Sequence, residues 1–336
     1  MRSNHLNPQP QRPLAESCYR GEQETQHSCG ADGKRFIIAL RCGRLANRLV
    51  LFANFIALAE EQGHRIANVT FHSYAELFET TRRDIYCRYP VPKRRSRLEA
   101  VPGVAEAIRK TRVFYHAVRG ASVLNERARI FGRRTITLRE EPKQGVVLLD
   151  GPEFQSQIRD ARNVFVYGWR FRAPALVTRH AEKIRDYFRP IEAHERASHR
   201  VADRLRRDAN VVAGVHIRRG DYRGWRDGTC FFSISQYTAW MRGLAEQFPG
   251  RKVAFLVCSD EARRPEEFPG LTVGFSTGLP VEDLYALAGC DLIFGPVSTF
   301  SQWASFYGNK PLFHLYRGET RVERDRFRVS DLAEVP

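Results

Sequence analysis

No stretch of the chain approaches the roughly 18 to 20 consecutive apolar residues that a membrane-spanning helix needs. Its opening, MRSNHLNPQPQRPLAES, has no apolar core of the kind a secretory signal carries. The expectation is a cytoplasmic protein, at most peripheral to the inner face of a membrane, and the lone Asn68-Val69-Thr70 sequon then counts as accidental. Cysteine is sparse and scattered: Cys18, Cys29, Cys42, Cys87, Cys230, Cys258 and Cys290 form no CxxC pair. An odd, dispersed set argues against a disulfide framework and against a zinc cluster. Cys258 and Cys290 sit in apolar runs, as small core residues do. There is no GxGxxG, hence no dinucleotide fingerprint, and no DxD pair to hold a divalent ion. The HERASH run at 194–199 sets its histidines five apart, whereas HExxH needs four to place both on one helix face. No metal site is expected.

Acidic residues are also in deficit, with 38 Asp and Glu against 54 Lys and Arg, a formal charge of +16. The excess is densest at 93–139, where KRRSR, RKTR and FGRR follow one another. That region has no RNA-binding aromatic signature, zinc finger or basic zipper, so nucleic acid is not an expected partner. Solvated helix faces explain the charge, with peripheral contact to an anionic membrane as the other reading. Residues 1–33 are rich in Pro, Gln, Ser, Asn and Glu without apolar periodicity, and a disordered leader is expected there.

What remains alternates short apolar runs with helical patterns. RFIIAL (35–40) reads as a strand, and Leu45, Leu49, Phe52, Phe55, Ile56 and Ala59 recur at helical spacing until Gly63 supplies a stop. NVTF (68–71), VVLLDG (146–151) and VFVYGW (164–169) read as strands, and 176–188 as one amphipathic helix. These define an expected first α/β domain at 34–200. From 201 to 336 the pattern is more regular: a strand at 211–216, a helix at 235–248 opened by a capping serine, strands at 253–260, 271–277 and 291–296, and a helix at 281–289. Strand, helix, strand at this spacing means βαβ units and parallel sheets.

The strand in VVAGVHIRRGDY (211–222) delivers His216, Arg218, Arg219 and Asp221 to its carboxyl end, where open α/β sheets bind ligands. Arginine's planar fork of donors suits phosphate oxygens. After the strand at 291–296 comes VSTFSQWASFYG, in which Ser298 or Thr299 caps a helix. Its unpaired N–H groups and the hydroxyls of Ser298, Thr299 and Ser301 would attract an anion. A phosphate or pyrophosphate site is one reading. A surface loop with its arginines paired to Asp221, beside an ordinary capped helix, is the other. Asp221 and Asp227 are the carboxylates nearest to serve as a general base, and Asp221 equally well pins an arginine.

HIRRGDY resembles the HxRRxD signature of the α1,2-fucosyltransferases and their α1,6- and protein-O-fucosyltransferase relatives. DLYALAGCDLIFGPVSTFSQWASF is similar to that family's run from a DLxLMSxC helix through NSTFSWW, with Gln302 replacing the first tryptophan and Val297 the asparagine. Ser259-Asp260 matches an SDD-like step. More faintly, Gly43-Arg44-Leu45-Ala46-Asn47-Arg48 resembles a GxxGNQ-like loop, with Ala46 and Arg48 where the family has Gly and Gln. The strong resemblance covers roughly the last third of the chain. It implies a GT-B-like α/β fold, two facing Rossmann-like domains with mostly parallel sheets, and inverting, metal-independent transfer from GDP-fucose to a glycan hydroxyl, α1,2-linked. A lipid-linked glycan acceptor goes with the membrane-contact reading of the basic region, and no cofactor beyond the donor is implied. Arg218 would hold the β-phosphate, with Asp221 as its catalytic companion. His216 and Asp283 would contact guanine, and Ser298, Thr299, Phe300 and Ser301 would ring the pyrophosphate. Arg219, Asp260, Gly43 and Asn47 complete the implied donor site. Two further readings stay open: the same fold with another nucleotide sugar, and a basic nucleic-acid-binding protein.

Overall fold

Each half of the chain builds a five-stranded sheet from short apolar runs, and in each the first strand of the half ends up in the middle. The computed structural model describes residues 33–94, 113–140 and 145–335, together with positions 101, 103, 104, 107 and 108. In the first half the strands are β1 (Arg35–Ile38), β2 (Arg65–Ala67), β3 (Arg88–Tyr89), β4 (Thr135–Arg139), β5 (Val147–Leu148), β6 (Asn163–Tyr167) and β7 (Phe171–Arg172). The main sheet runs β3-β2-β1-β6-β4, parallel except for β3, while β5 and β7 form a small parallel pair. The second half contributes β8 (Val211–Ile217), β9 (Val253–Ser259), β10 (Thr272–Phe275), β11 (Leu292–Pro296) and β12 (Leu312–Leu315). They are ordered β10-β9-β8-β11-β12, all parallel. The expected GT-B-like, mostly parallel α/β architecture is what the chain adopts.

In both sheets the winding direction reverses beside the central strand, between β1 and β6 and between β8 and β11. Loops leaving the carboxyl ends of strands at such a reversal diverge and open a crevice. Two helices leave these places: Leu45–Gln62 after β1 and Thr299–Gly308 after β11, and they pack on one another. Residues from Gly33 onward form one compact unit with a largely shared core. Phe188 meets Trp303 edge to face at 5.1 Å, and the Tyr285 hydroxyl donates to the Phe188 carbonyl at 2.6 Å. Arg185 reaches across to the Phe306 carbonyl at 2.8 Å. The helix Glu192–Arg206, which contains the expected boundary at residue 200, packs on β9, β10 and the helix Pro280–Ala288.

Local details depart from expectation for identifiable reasons. NVTF is not a strand: β2 ends at Ala67, and the Asn68 side chain accepts from both the N–H and the hydroxyl of Thr70, turning the chain into a 3₁₀ segment. The helix expected at 176–188 is two, Pro174–Arg179 and Ala181–Tyr187, broken at His180. The capping serine of the helix Ile234–Ala245 is Ser233, in a reciprocal box with Gln236, so the helix starts before Ser235. Nearly all of the leader expected at 1–33 lies outside the described residues. Of the basic region at 93–139, the helix Val113–Ala128 and β4 are described, and there Arg139 pairs with Glu126 and lies 4.4 Å over the Tyr167 ring. Among the described residues no helix is long and apolar enough to cross a membrane.

Candidate active site

The wall contributed by the second sheet starts from β8, all seven residues of which are buried. Burial on both faces makes the strand a rigid mount, and Arg218 is the first residue past its end. Its Nε and Nη2 donate to the two carboxylate oxygens of Asp221, each at 2.8 Å, and Nε lies 3.4 Å from Asp260. Nη1 makes no hydrogen bond among the described residues. Asp260, at the end of neighbouring β9, accepts the backbone N–H groups of Arg219 and Gly220 at 2.9 and 3.0 Å, which fixes the loop carrying the arginine. The hydrogen bonds and charge of Arg218, with Arg44 at 3.7 Å, hold the Asp221 carboxyl below its usual range. A carboxylate so held is a weak base and a good anchor.

β11 lies directly beside β8, and Gly295 permits close approach: a Cβ there would stand 2.6 Å from the His216 carbonyl oxygen. Ser298 follows, extended, and its Oγ accepts the Phe300 N–H at 3.2 Å, opening the helix Thr299–Gly308. The His216 and Phe300 rings stack at 5.0 Å and 28°. The strand tip and the helix start therefore meet by direct contact. His216 is buried, and burial, reinforced by the Arg218 and His314 charges, pushes its pKa down to about 3, so the ring is neutral at working pH. Its Nδ1 is buried and has no partner among the described residues. Asp283 is also buried and is pushed up to about 6 by desolvation, against hydrogen bonds from Ser276 and from the Gly278 N–H at 3.0 Å.

The opposite wall comes from the corresponding place in the first sheet. After β1, Gly43 adopts φ +60°, and a Cβ would lie 2.2 Å from the Asn47 amide nitrogen, so only glycine closes this turn. Asn47 accepts a short hydrogen bond from the Thr299 hydroxyl, tying the two walls together. Arg48 is buried behind the loop, donating to the carbonyls of Thr70 (2.8 Å) and Gly43 (3.2 Å) and to the Ser73 hydroxyl (2.9 Å). After β6, Gly168 at φ +154° has no room for a Cβ, which would stand 2.5 Å from that of Glu140. Trp169 follows, its N–H donating to Glu140 at 2.6 Å.

Between the walls is a cleft of about 480 Å³, within the range of small-molecule sites. His216, Arg218, Asp221 and Asp260 line it from the strand edge, as do Asp283, Ser298, Thr299 and Phe300 from the flanking helices. Gly43 and Asn47 line it from the other side. Two expected members lie outside the lining. The Arg219 guanidinium points the other way, donating to the Phe232 carbonyl at 2.9 Å over the Phe231 ring, because consecutive residues leaving a strand alternate in direction. Ser301, fully buried, donates inward to the Ser298 carbonyl at 3.1 Å. Asp227 is not part of the lining either. Sequence reasoning missed Tyr74, Trp169, Trp225, Arg44 and Pro280, which do line the cleft. A glycine at the end of a parallel strand was the available signal for Trp169; Tyr74 had none.

Residues 160–313 match the model of glycosyl transferase family 11, a stretch containing both the strand tip at Arg218 and the helix start at Ser298. An arginine-to-lysine mutant of Arabidopsis thaliana FUT1 in complex with GDP is similar in structure over 87% of this chain and 72% of that chain, with 14% identity and a TM-score of 0.51. Fucosyltransferase NodZ from Bradyrhizobium is 16% identical over 85% of this chain and 97% of its own, with a TM-score of 0.48. POFUT1 in complex with GDP is 11% identical over 86% and 97%, at 0.47. No curated protein sequence matches the chain. The family 11 segment carries the wall that holds Arg218 and Ser298, and the chain's fold is similar to that of the FUT1 structure.

Proposed function

We propose that the protein transfers fucose from GDP-fucose to a glycan hydroxyl, with inversion, without a metal ion, forming an α1,2 linkage. One observation carries the reading: Arg218 and the start of the helix Thr299–Gly308 face one cleft, joined by the stacked rings of His216 and Phe300. As the bond from fucose to the diphosphate lengthens, negative charge collects on the β-phosphate. Arg218, whose Nη1 makes no hydrogen bond among the described residues, and the first turn of the helix line the same cleft, and fixed donors stabilise charge that develops only in the transition state. These groups take the place of a divalent ion, in keeping with a sequence that has no DxD pair. Asp221 orients Arg218 by its bidentate contact and does not serve as the base.

Guanine offers two adjacent donors on one edge, which a carboxylate can accept together. Asp283 supplies that carboxylate and neutral His216 a ring nitrogen, and the FUT1 relative was solved with GDP. Thermal shift with GDP, UDP and ADP tests this. GDP at about 100 times its Kd stabilises by about 2.7 kcal/mol. Stabilisation by UDP and not by GDP would remove Asp283 from the guanine role and fucose from the reading.

A further inference from the structure

Part of the cleft lining is aromatic rather than charged. Tyr74 and Trp169 line the cleft from the first sheet's side, and Trp225 stacks on Tyr222 at 4.7 Å and 28° on the other. Behind each of the first two rings lies a buried arginine: the Arg48 guanidinium is 4.9 Å from the Tyr74 centroid and that of Arg172 is 5.4 Å from Trp169. Arg172 is fully buried and bonds only to the carbonyls of Trp169 (2.5 Å) and Phe171 (2.9 Å). Neither arginine makes an ion pair among the described residues. A buried cation with no carboxylate in hydrogen-bond contact is costly, and the negative face of an aromatic ring helps to offset it, joined at Arg172 by the more distant Glu140 charge. The cation and ring therefore fix one another, and Gly168 sets the direction in which Trp169 leaves β6. Of the charged groups that also line the cleft, Asp221 is held by both Arg218 and Arg44.

We infer that Tyr74 and Trp169 form the acceptor platform, and that it takes an uncharged glycan stacked by the C–H face of a pyranose ring. The inference rests on the proposed sugar transfer and adds to it the acceptor's chemical class and the residues that select it. A sugar's C–H bonds carry slight positive charge that an aromatic face attracts, and rings locked from behind lose little freedom when the sugar arrives.

The test uses the full chain with GDP present and lactose, N-acetyllactosamine and chitotetraose as probes, read by saturation-transfer difference NMR. At least one probe is expected to bind wild-type protein, and Trp169→Ala to weaken it tenfold or more while the thermal shift given by GDP persists. Trp169→Phe, which keeps a flat face, is expected to retain most of the binding, as is Tyr74→Phe, which removes only the hydroxyl. The inference is overturned if no probe binds the wild type, or if Trp169→Ala binds as well as wild type. Loss of GDP response in the wild-type protein is a separate result, and sinks the donor reading instead.

Discussion

The two walls of the cleft arise at equivalent places, the winding reversals of two sheets, yet they are built from opposite materials. The β8/β11 wall presents a guanidinium, a capped helix start, a neutral histidine and a carboxyl pushed up to about 6. The β1/β6 wall presents a glycine turn, an amide and two aromatic rings with buried cations behind them. The same topology thus yields one surface suited to an anion and another suited to an uncharged ring. Backbone geometry decides where a site opens; side chains decide what enters it.

The sharpest way to break the contrast is Arg218→Ala. Losing one pre-placed donor to developing phosphate charge costs about 2.7–4 kcal/mol, so turnover of GDP-fucose falls on the order of 100- to 1000-fold in a steady-state assay with the fold intact by circular dichroism. Next is Gly168→Ala, which forces a Cβ against Glu140 in a backbone conformation that L side chains rarely adopt. It should destabilise by about 1–3 kcal/mol in denaturant melts, disturbing the wall that carries Trp169 more than the one that carries Arg218. Asn47→Ala removes the bridge to Thr299 and probes how far each wall depends on the other. One hydrogen bond of this kind contributes about 0.5–1.5 kcal/mol to stability, so a loss of up to that size is expected in denaturant melts.

The smallest effect sharpens the contrast by pH. Asp283 must be charged to accept guanine's donors, so that contact is lost as pH falls through about 6, and GDP binding measured by calorimetry should weaken about fourfold between pH 7 and 5.5. Asp283→Asn should flatten this dependence. Stability of the ligand-free protein has the opposite sign. The folded value is raised above the ordinary 3.8, so the group contributes stability that is full below that pH and lost as pH rises through about 6. Asp283→Asn should therefore raise the Tm of empty protein at pH 7.

The wall that carries Arg218 was legible because its residues lie close together in sequence. A buried strand followed by HIRRGD, and another followed by a capping serine, each state their own geometry, and parallel pairing of β8 with β11 does the rest. The other wall was mostly hidden. Tyr74 sits on a 3₁₀ turn with no periodic pattern, Arg48 reads only as a departure from a loop pattern, and Arg172 looks in sequence like one more surface arginine among 54 basic residues. Only tertiary packing shows them buried beneath aromatic rings. Arg219 and Ser301 were misplaced for a related reason: a motif names neighbours in sequence, while a strand end and a helix turn send those neighbours to opposite sides.

The edge-to-face meeting of Phe188 and Trp303 belongs to an apolar core to which both sheets contribute. Such a body has little freedom to swing apart like a pair of jaws. Heating should then melt both sheets in a single calorimetric peak.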